Sequence, residues 1–244
     1  VGFILLAQAA GTARLSALLA HPPTSVTVAP ALVLVLLGAA TKSAQYPFHA
    51  WLPGAMVAPT PVSAYLHSAT MVKAGVYLVA RFSPAFAGVW MWRPTVVAIG
   101  AATMLFGGLR ALRQHDLKLL LAHGTVSQLG FMFLLFGIGT AESITAGCVL
   151  LLAHAAFKAT LFMGVGIVDR STSTRDIRSL PLIANRWPAF SVVILVGSAS
   201  MAGLPLKAKR FLPPKSSRGS GLRKRAVSGS KGLVDGLNWA ERSG

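Results

Sequence analysis

The chain has 244 residues, 54% of them hydrophobic and only 12% charged, where an ordinary water-soluble domain carries roughly 25% charge, so such a fold is excluded. Lys and Arg number 23 against 6 Asp and Glu, a net charge of +17. Residues 1–204 hold 13 basic and 4 acidic groups and residues 205–244 hold 10 and 2, so the nucleic-acid reading that a basic total invites applies at most to the tail, and none is expected there.

A bilayer span needs about 20 mostly apolar residues. Val1–Gly11 is apolar without a basic leader and reads as the end of a span rather than a signal peptide. Further spans are expected at 29–51, 61–79, 94–109, 117–138, 144–168 and 187–204. The runs are apolar all round, as helices are among lipid and other helices. Gly100–Ala101–Ala102–Thr103 and Gly107–Gly108 provide the small residues that let membrane helices approach closely. Cys148, the one cysteine, lies in an apolar run and is expected to be a buried small hydrophobe. The expected fold is an all-α polytopic transmembrane bundle of six or seven helices over 1–205. A basic tail rich in Ser and Gly follows over 206–244; it has little to bury and is expected to be disordered.

Arg110, Arg113, Lys118, Arg170, Arg175, Arg178 and Arg186 gather on the side of the turns at 52–60 and 110–118 and the loop 169–186, while Arg14, Arg81 and Arg93 lie on the other. The excess marks the first side as cytoplasmic in a multi-pass plasma-membrane protein.

Function concentrates where ionisable groups interrupt apolar runs, because a lysine near the bilayer centre costs from about 2.5 to more than 10 kcal/mol. Lys42 lies well inside its run, five residues before Pro47. Proline at that spacing cannot donate to the Ser43 carbonyl and clashes with it, so the helix is expected to break just after the lysine, with Pro53 reinforcing the interruption. A broken helix beside an ionisable group is a recurring build for ion sites. His67 shares a polar stripe with Ser63 and Thr70, and imidazole trades protons near neutrality. On one continuous helix Lys73 stands about 120° round from His67, so the two are expected to point apart. His154 and Lys158 are four apart on one face with no acid in their run. His123 and Ser127 form a weaker stripe, with His123 expected near the membrane surface beside Lys118.

No carboxylate pair, nucleophile with its base, metal-ligand spacing or phosphate loop is present in the sequence, so neither enzyme chemistry nor a cofactor or metal is expected. A hydrated line of Lys and His remains, whose natural task is to move protons.

Thr41–Lys42–Ser43–Ala44–Gln45, Leu66–His67–Ser68–Ala69–Thr70, Val72–Lys73–Ala74–Gly75, Asp116–Leu117–Lys118, Ser127–Gln128–Leu129–Gly130 and His154–Ala155–Ala156–Phe157–Lys158 together resemble the proton-conducting antiporter superfamily. With lysine at Lys73, the pattern is most similar to the large first component of Mrp-type Na+/H+ antiporters, the A subunit, with the L subunit of respiratory complex I next. The resemblance covers about residues 1–205. It implies that Lys42 is the central proton-transfer residue on a broken helix, and that His67, Lys73, His154 and Lys158 form the relay. It also implies partner subunits in a larger membrane complex, protons and possibly Na+ as cargo, and a pairing glutamate on an earlier helix not contained in this sequence. The chain is thus expected to be a fragment. The basic run from Lys207 departs from the pattern as a shifted reading frame would, and Lys207 receives no conducting role. The alternatives are a complex I L-type pump fragment and a truncated, non-conducting membrane scaffold.

Overall fold

The computed structural model describes residues 1–68, 70–180 and 187–203; Arg186, Leu204 and the expected basic tail lie outside the described residues. The chain divides into two units, Val1–Leu204 and Pro205–Gly244.

Ten α-helices occur among the described residues. They are α1 (Gly2–Ala10), α2 (Leu15–Ala20), α3 (Val28–Lys42), α4 (Trp51–Gly54), α5 (Thr60–Ser68), α6 (Lys73–Ala85), α7 (Trp92–Leu112), α8 (Leu117–Ile138), α9 (Ala141–Thr172) and α10 (Pro188–Met201), with a 3₁₀ turn at Ala55–Val57 after α4. The expected six or seven becomes ten because two spans are broken and the loop at 12–28 forms α2. Helices α7, α8 and α9, of 21, 22 and 32 residues, are long and apolar enough to cross a membrane.

Asp116 caps α8 by accepting from the backbone N–H groups of Lys118 at 2.7 Å and Leu119 at 3.1 Å, satisfying donors that the first turn leaves free. At the other end Gly139 adopts φ 70°, ending α8, and Thr140 caps α9 through the Ser143 N–H. Two residues therefore turn α8 back on itself as an α8–α9 hairpin.

The seam between α7 and α8 is built on glycine. A Cβ on Gly100 would stand 2.6 Å from the Leu134 nitrogen, and one on Gly107 would stand 2.6 Å from the Ser127 nitrogen. Backbone meets backbone there, as the small-residue runs predict. Gly108 faces open space apart from the Ser127 hydroxyl at 3.5 Å.

Helix α3 ends at Lys42. The Gln45 N–H donates to the Ala40 carbonyl at 2.8 Å and the Ala44 N–H to the Thr41 carbonyl at 3.4 Å, with Ala44 at φ 50°. This pair of bonds around a left-handed residue is a helix-stop motif in its own right. The break thus falls where Pro47 predicts it, but its local agent is the Ala44 turn; Pro47 sits in the non-helical link, and Pro53 lies inside α4 and ends no helix.

The span expected at 61–79 is two helices, α5 and α6, interrupted between Ser68 and Lys73. The loops expected on one side do meet. Leu117 N–H donates to Arg175 O and Ile177 N–H to His115 O, both at 3.0 Å, and Arg175 pairs with Asp116 at 3.3 Å. One apolar cluster spans α1, α3, α6, α7 and α8, with Phe82, Phe86 and Trp92 fully buried; a second joins Met56, Leu121, Phe157, Leu161 and Phe162. Cys148 is exposed rather than buried, on the outer face of α9.

Candidate functional site

Four of the sequence-predicted groups are buried in one interior. His154 and Lys158 are wholly enclosed on α9, His67 is 1% exposed on α5 and Lys73 8% exposed on α6. Lys158 Nζ donates to the Leu121 carbonyl of α8 at 2.9 Å. Lys73 Nζ donates to the Leu151 carbonyl of α9 at 3.2 Å. The helix break reorients the second of these residues, so that His67 and Lys73 both turn toward α9 instead of pointing apart: the His67 ring lies 5.9 Å from that of Phe162.

Sequence reading missed Lys118. It lies in the first turn of α8, is 3% exposed, and donates to the carbonyls of Met56, at 3.0 Å, and Ala58. It lines a cavity of about 650 Å³ together with Thr60, Asp169, Arg170 and Arg175. The apolar flank Leu117, Leu119, Leu120 was the available signal. His123 is also buried, with Nδ1 3.0 Å from the Leu119 carbonyl of its own helix.

These ammonium groups bind backbone carbonyls. Among the described residues the ion pairs are Arg175–Asp116 and Arg178–Asp176, both in the loops. A carbonyl orients an ammonium and shares its proton, but adds no countercharge to fix it in place. The ring nitrogens of His67 and His154 have no hydrogen-bond partner in the protein among the described residues, and enclosed polar atoms of that kind require water. Along α9 the contacts follow the chain: Gly166 and Asp169 line the cavity of Lys118, Phe162 faces the His67 ring, Lys158 and His154 come next, and the Leu151 carbonyl receives Lys73. The order is therefore Lys118, His67, Lys158, His154, Lys73, an alternation of amine and imidazole from the basic-loop end into the bundle.

Lys42 stands apart from this series. It is exposed at the end of α3 and lines a groove of about 410 Å³ formed by α1, α3 and α6, with Ala39, Ala74 and Gly75 beside it. Outside the membrane-spanning segments, Arg178 forks onto Asp176 through Nε at 3.0 Å and an Nη at 2.7 Å, and these bonds hold the Asp176 carboxyl down to about 2. Among the described residues no group of three or more His, Cys, Asp or Glu is placed to hold a metal ion.

A family model described as NADH:quinone oxidoreductase/Mrp antiporter, TM matches residues 1–214, running past Pro205. The A subunit of a Na+/H+ antiporter from Alkalihalophilus pseudofirmus is 49% identical over 221 residues, which cover 84% of this chain and 28% of that relative. The chain thus spans little more than a quarter of that relative's length. Among solved structures, the Mrp complex from Dietzia sp. DQ12-45-1b matches with a TM-score of 0.79 and 45% identity over 84% of this chain and 23% of the matched one. Respiratory complex I from Thermus thermophilus matches with a TM-score of 0.76 and 28% identity over 84% of this chain and 44% of the matched one.

Proposed function

Because the chain belongs to the NADH:quinone oxidoreductase/Mrp antiporter transmembrane family, we propose that it translocates protons as part of a multisubunit cation/proton antiporter of the Na+/H+ class in the plasma membrane. The observation that carries the reading is the buried succession of Lys118, His67, Lys158, His154 and Lys73, in which the amines rest on carbonyls and the imidazoles have no protein partner among the described residues.

In this reading a proton arrives from the cavity beside Asp169 and Arg175, is taken up at Lys118, and passes through water to His67, Lys158, His154 and Lys73. Each transfer moves one positive charge onto the next group. Neighbouring groups of like sign resist being charged together, so a proton arriving at one end favours departure at the other. Lys42 is the central proton-holding group and completes its surroundings against a further part of the complex laid on the α1–α3–α6 groove. The partners are the other subunits of the assembly, the cargo is protons and Na+, and the chain transports without covalent chemistry of its own.

The likeness to complex I supports a second reading, an L-type proton-pumping subunit driven by redox chemistry in other subunits. The higher identity to the Mrp complex, 45% against 28%, favours the antiporter. A non-conducting scaffold fits least, since it leaves the cost of enclosing three ammoniums unexplained.

The test is Lys42→Ala in the complete assembly. Cation/proton exchange across everted vesicles is expected to be abolished, and near-normal dissipation of the pH gradient by this variant would overturn the assignment.

A further inference from the structure

The Ser43 hydroxyl, wholly buried, bridges two backbone groups of another helix. It donates to the Val72 carbonyl at 2.7 Å and accepts from the Val76 N–H at 3.0 Å. Those two groups are the partners that an α-helix joins to each other in its first turn, and they open α6. Ser43 is the residue after Lys42, and Val72 is the residue before Lys73. One hydroxyl therefore ties the end of α3 to the start of α6, across 29 positions of sequence.

The approach that allows this is a close one. A Cβ on Gly75 would collide with the Ala39 carbonyl oxygen and with Ser43 Oγ, so only glycine lets α6 come near enough. The link after α3 is also fastened on its far side, where the Tyr46 N–H donates to the Thr103 hydroxyl of α7 at 3.0 Å and the Tyr46 ring stacks on Phe106 with centroids 4.5 Å apart. The link is thus fixed to α7 at Tyr46 and to α6 through Ser43 and the close approach at Gly75.

We propose that Ser43 is a positioning residue that makes the break after Lys42 and the break before Lys73 move as one unit, keeping the two lysines in step during transport. The proposal rests on the proton-path reading above. The hydroxyl thus holds the first turn of α6 just after the interruption, and two discrete arrangements joined by a packed contact are what couples distant groups. The two sequence breaks are then one mechanical element, with the hydroxyl as its pin.

The test uses the complete assembly with Ser43→Ala, with Ser43→Cys, which nearly preserves volume but weakens the bond, and with Lys42→Ala as the reference for the proton path. Amide hydrogen exchange over residues 70–78 and transport turnover per assembled complex are both measured. Ser43→Ala is expected to accelerate exchange over 70–78 and to lower turnover, each about fivefold, the factor that one neutral hydrogen bond of about 1 kcal/mol represents. The apparent KM for the cation is expected to stay unchanged, with Ser43→Cys nearer to Ala than to wild type. A purely structural role would instead reduce the amount of complex and leave turnover per complex intact. Wild-type amide protection in Ser43→Ala, or wild-type turnover in Ser43→Cys, overturns the proposal. If Ser43→Ala does not assemble, Ser43→Cys decides alone by the same two readouts. Full exchange by Lys42→Ala would defeat the proton-path reading instead, and the amide data would still judge the link.

Discussion

Lys158 donates to the carbonyl of Leu121 at 2.9 Å, and the same oxygen accepts from the Thr125 hydroxyl at 2.8 Å. A buried ammonium is thus held by an acceptor that its host helix has in common with a neighbouring side chain. Replacing Lys158 by Met leaves that carbonyl occupied by Thr125, so the fold is expected to survive while transport falls about a hundredfold or more, the usual scale of a lost proton-transfer group. Lys158→Arg keeps the charge on a group that does not release its proton and is expected to be equally inactive. Vesicle exchange assays on assembled complex check both; a fully active Arg variant would show that charge alone suffices.

Lys118 fastens the 3₁₀ turn to α8 through Met56 and Ala58. Lys118→Met removes two bonds from a charged donor and is expected to destabilise the assembly by about 1.5–3 kcal/mol, read as a lower thermal midpoint in detergent, and to slow transport from the loop side. An unchanged midpoint would mean that the turn is held by its packing alone.

Gly100→Ala and Gly108→Ala are chemically identical and are expected to differ in sign. The first places a methyl 2.6 Å from the Leu134 nitrogen and 2.7 Å from the Gly130 carbonyl, both backbone, and is expected to cost about 1–3 kcal/mol or more as α7 and α8 separate. The second meets only the Ser127 hydroxyl at 3.5 Å and is expected to be neutral or stabilising by about 0.5–1 kcal/mol, because alanine loses less chain entropy in a helix. Thermal midpoints of the two variants side by side provide the check.

The Asp176–Arg178 pair has a definite pH window. The hydrogen bonds from Arg178 hold the folded-state value near about 2, below the ordinary 3.8, so the contribution of the pair is complete above the ordinary value and disappears as pH falls through about 2. The loop contact is therefore expected to stay intact at every pH at which a cell membrane operates. A carboxyl titration of Asp176 followed by isotope-edited infrared or NMR spectroscopy, with Arg178→Gln as reference, tests this; a midpoint near the ordinary value in both would rule the pairing out.

Much of this site is legible in the chain itself. The His154–Lys158 pair follows from spacing on a long, uninterrupted apolar helix, and Pro47 marks the place of the break after Lys42 although the Ala44 turn makes it. The interruption between Ser68 and Lys73 carries no such mark, since Ser-Ala-Thr-Met-Val-Lys contains neither Pro nor Gly. What acts on it comes from elsewhere, the Ser43 hydroxyl and the close passage of α3 over Gly75, and contacts 29 or more residues apart leave no local pattern. Lys118 was hidden for a related reason. Leucines flank it, but the charged turn just upstream places it at a helix end, and its enclosure is made by the Met56–Ala58 segment arriving from another part of the chain. The aspect of His67 and Lys73 follows the same rule, because the angle between two side chains can be counted only while the helix between them is unbroken.

Helix α9 has 32 residues, a rod of about 48 Å at 1.5 Å per residue, against a hydrocarbon layer about 30 Å deep. Its Leu151 carbonyl receives Lys73, its middle carries His154 and Lys158, and its far end lines the same cavity as Lys118. An overlong rod meets a thinner bilayer by leaning, and leaning would alter several donor-acceptor separations together. On the proton-path reading, lipid acyl length is therefore expected to set throughput, which transport in vesicles of shorter and longer acyl chains would check.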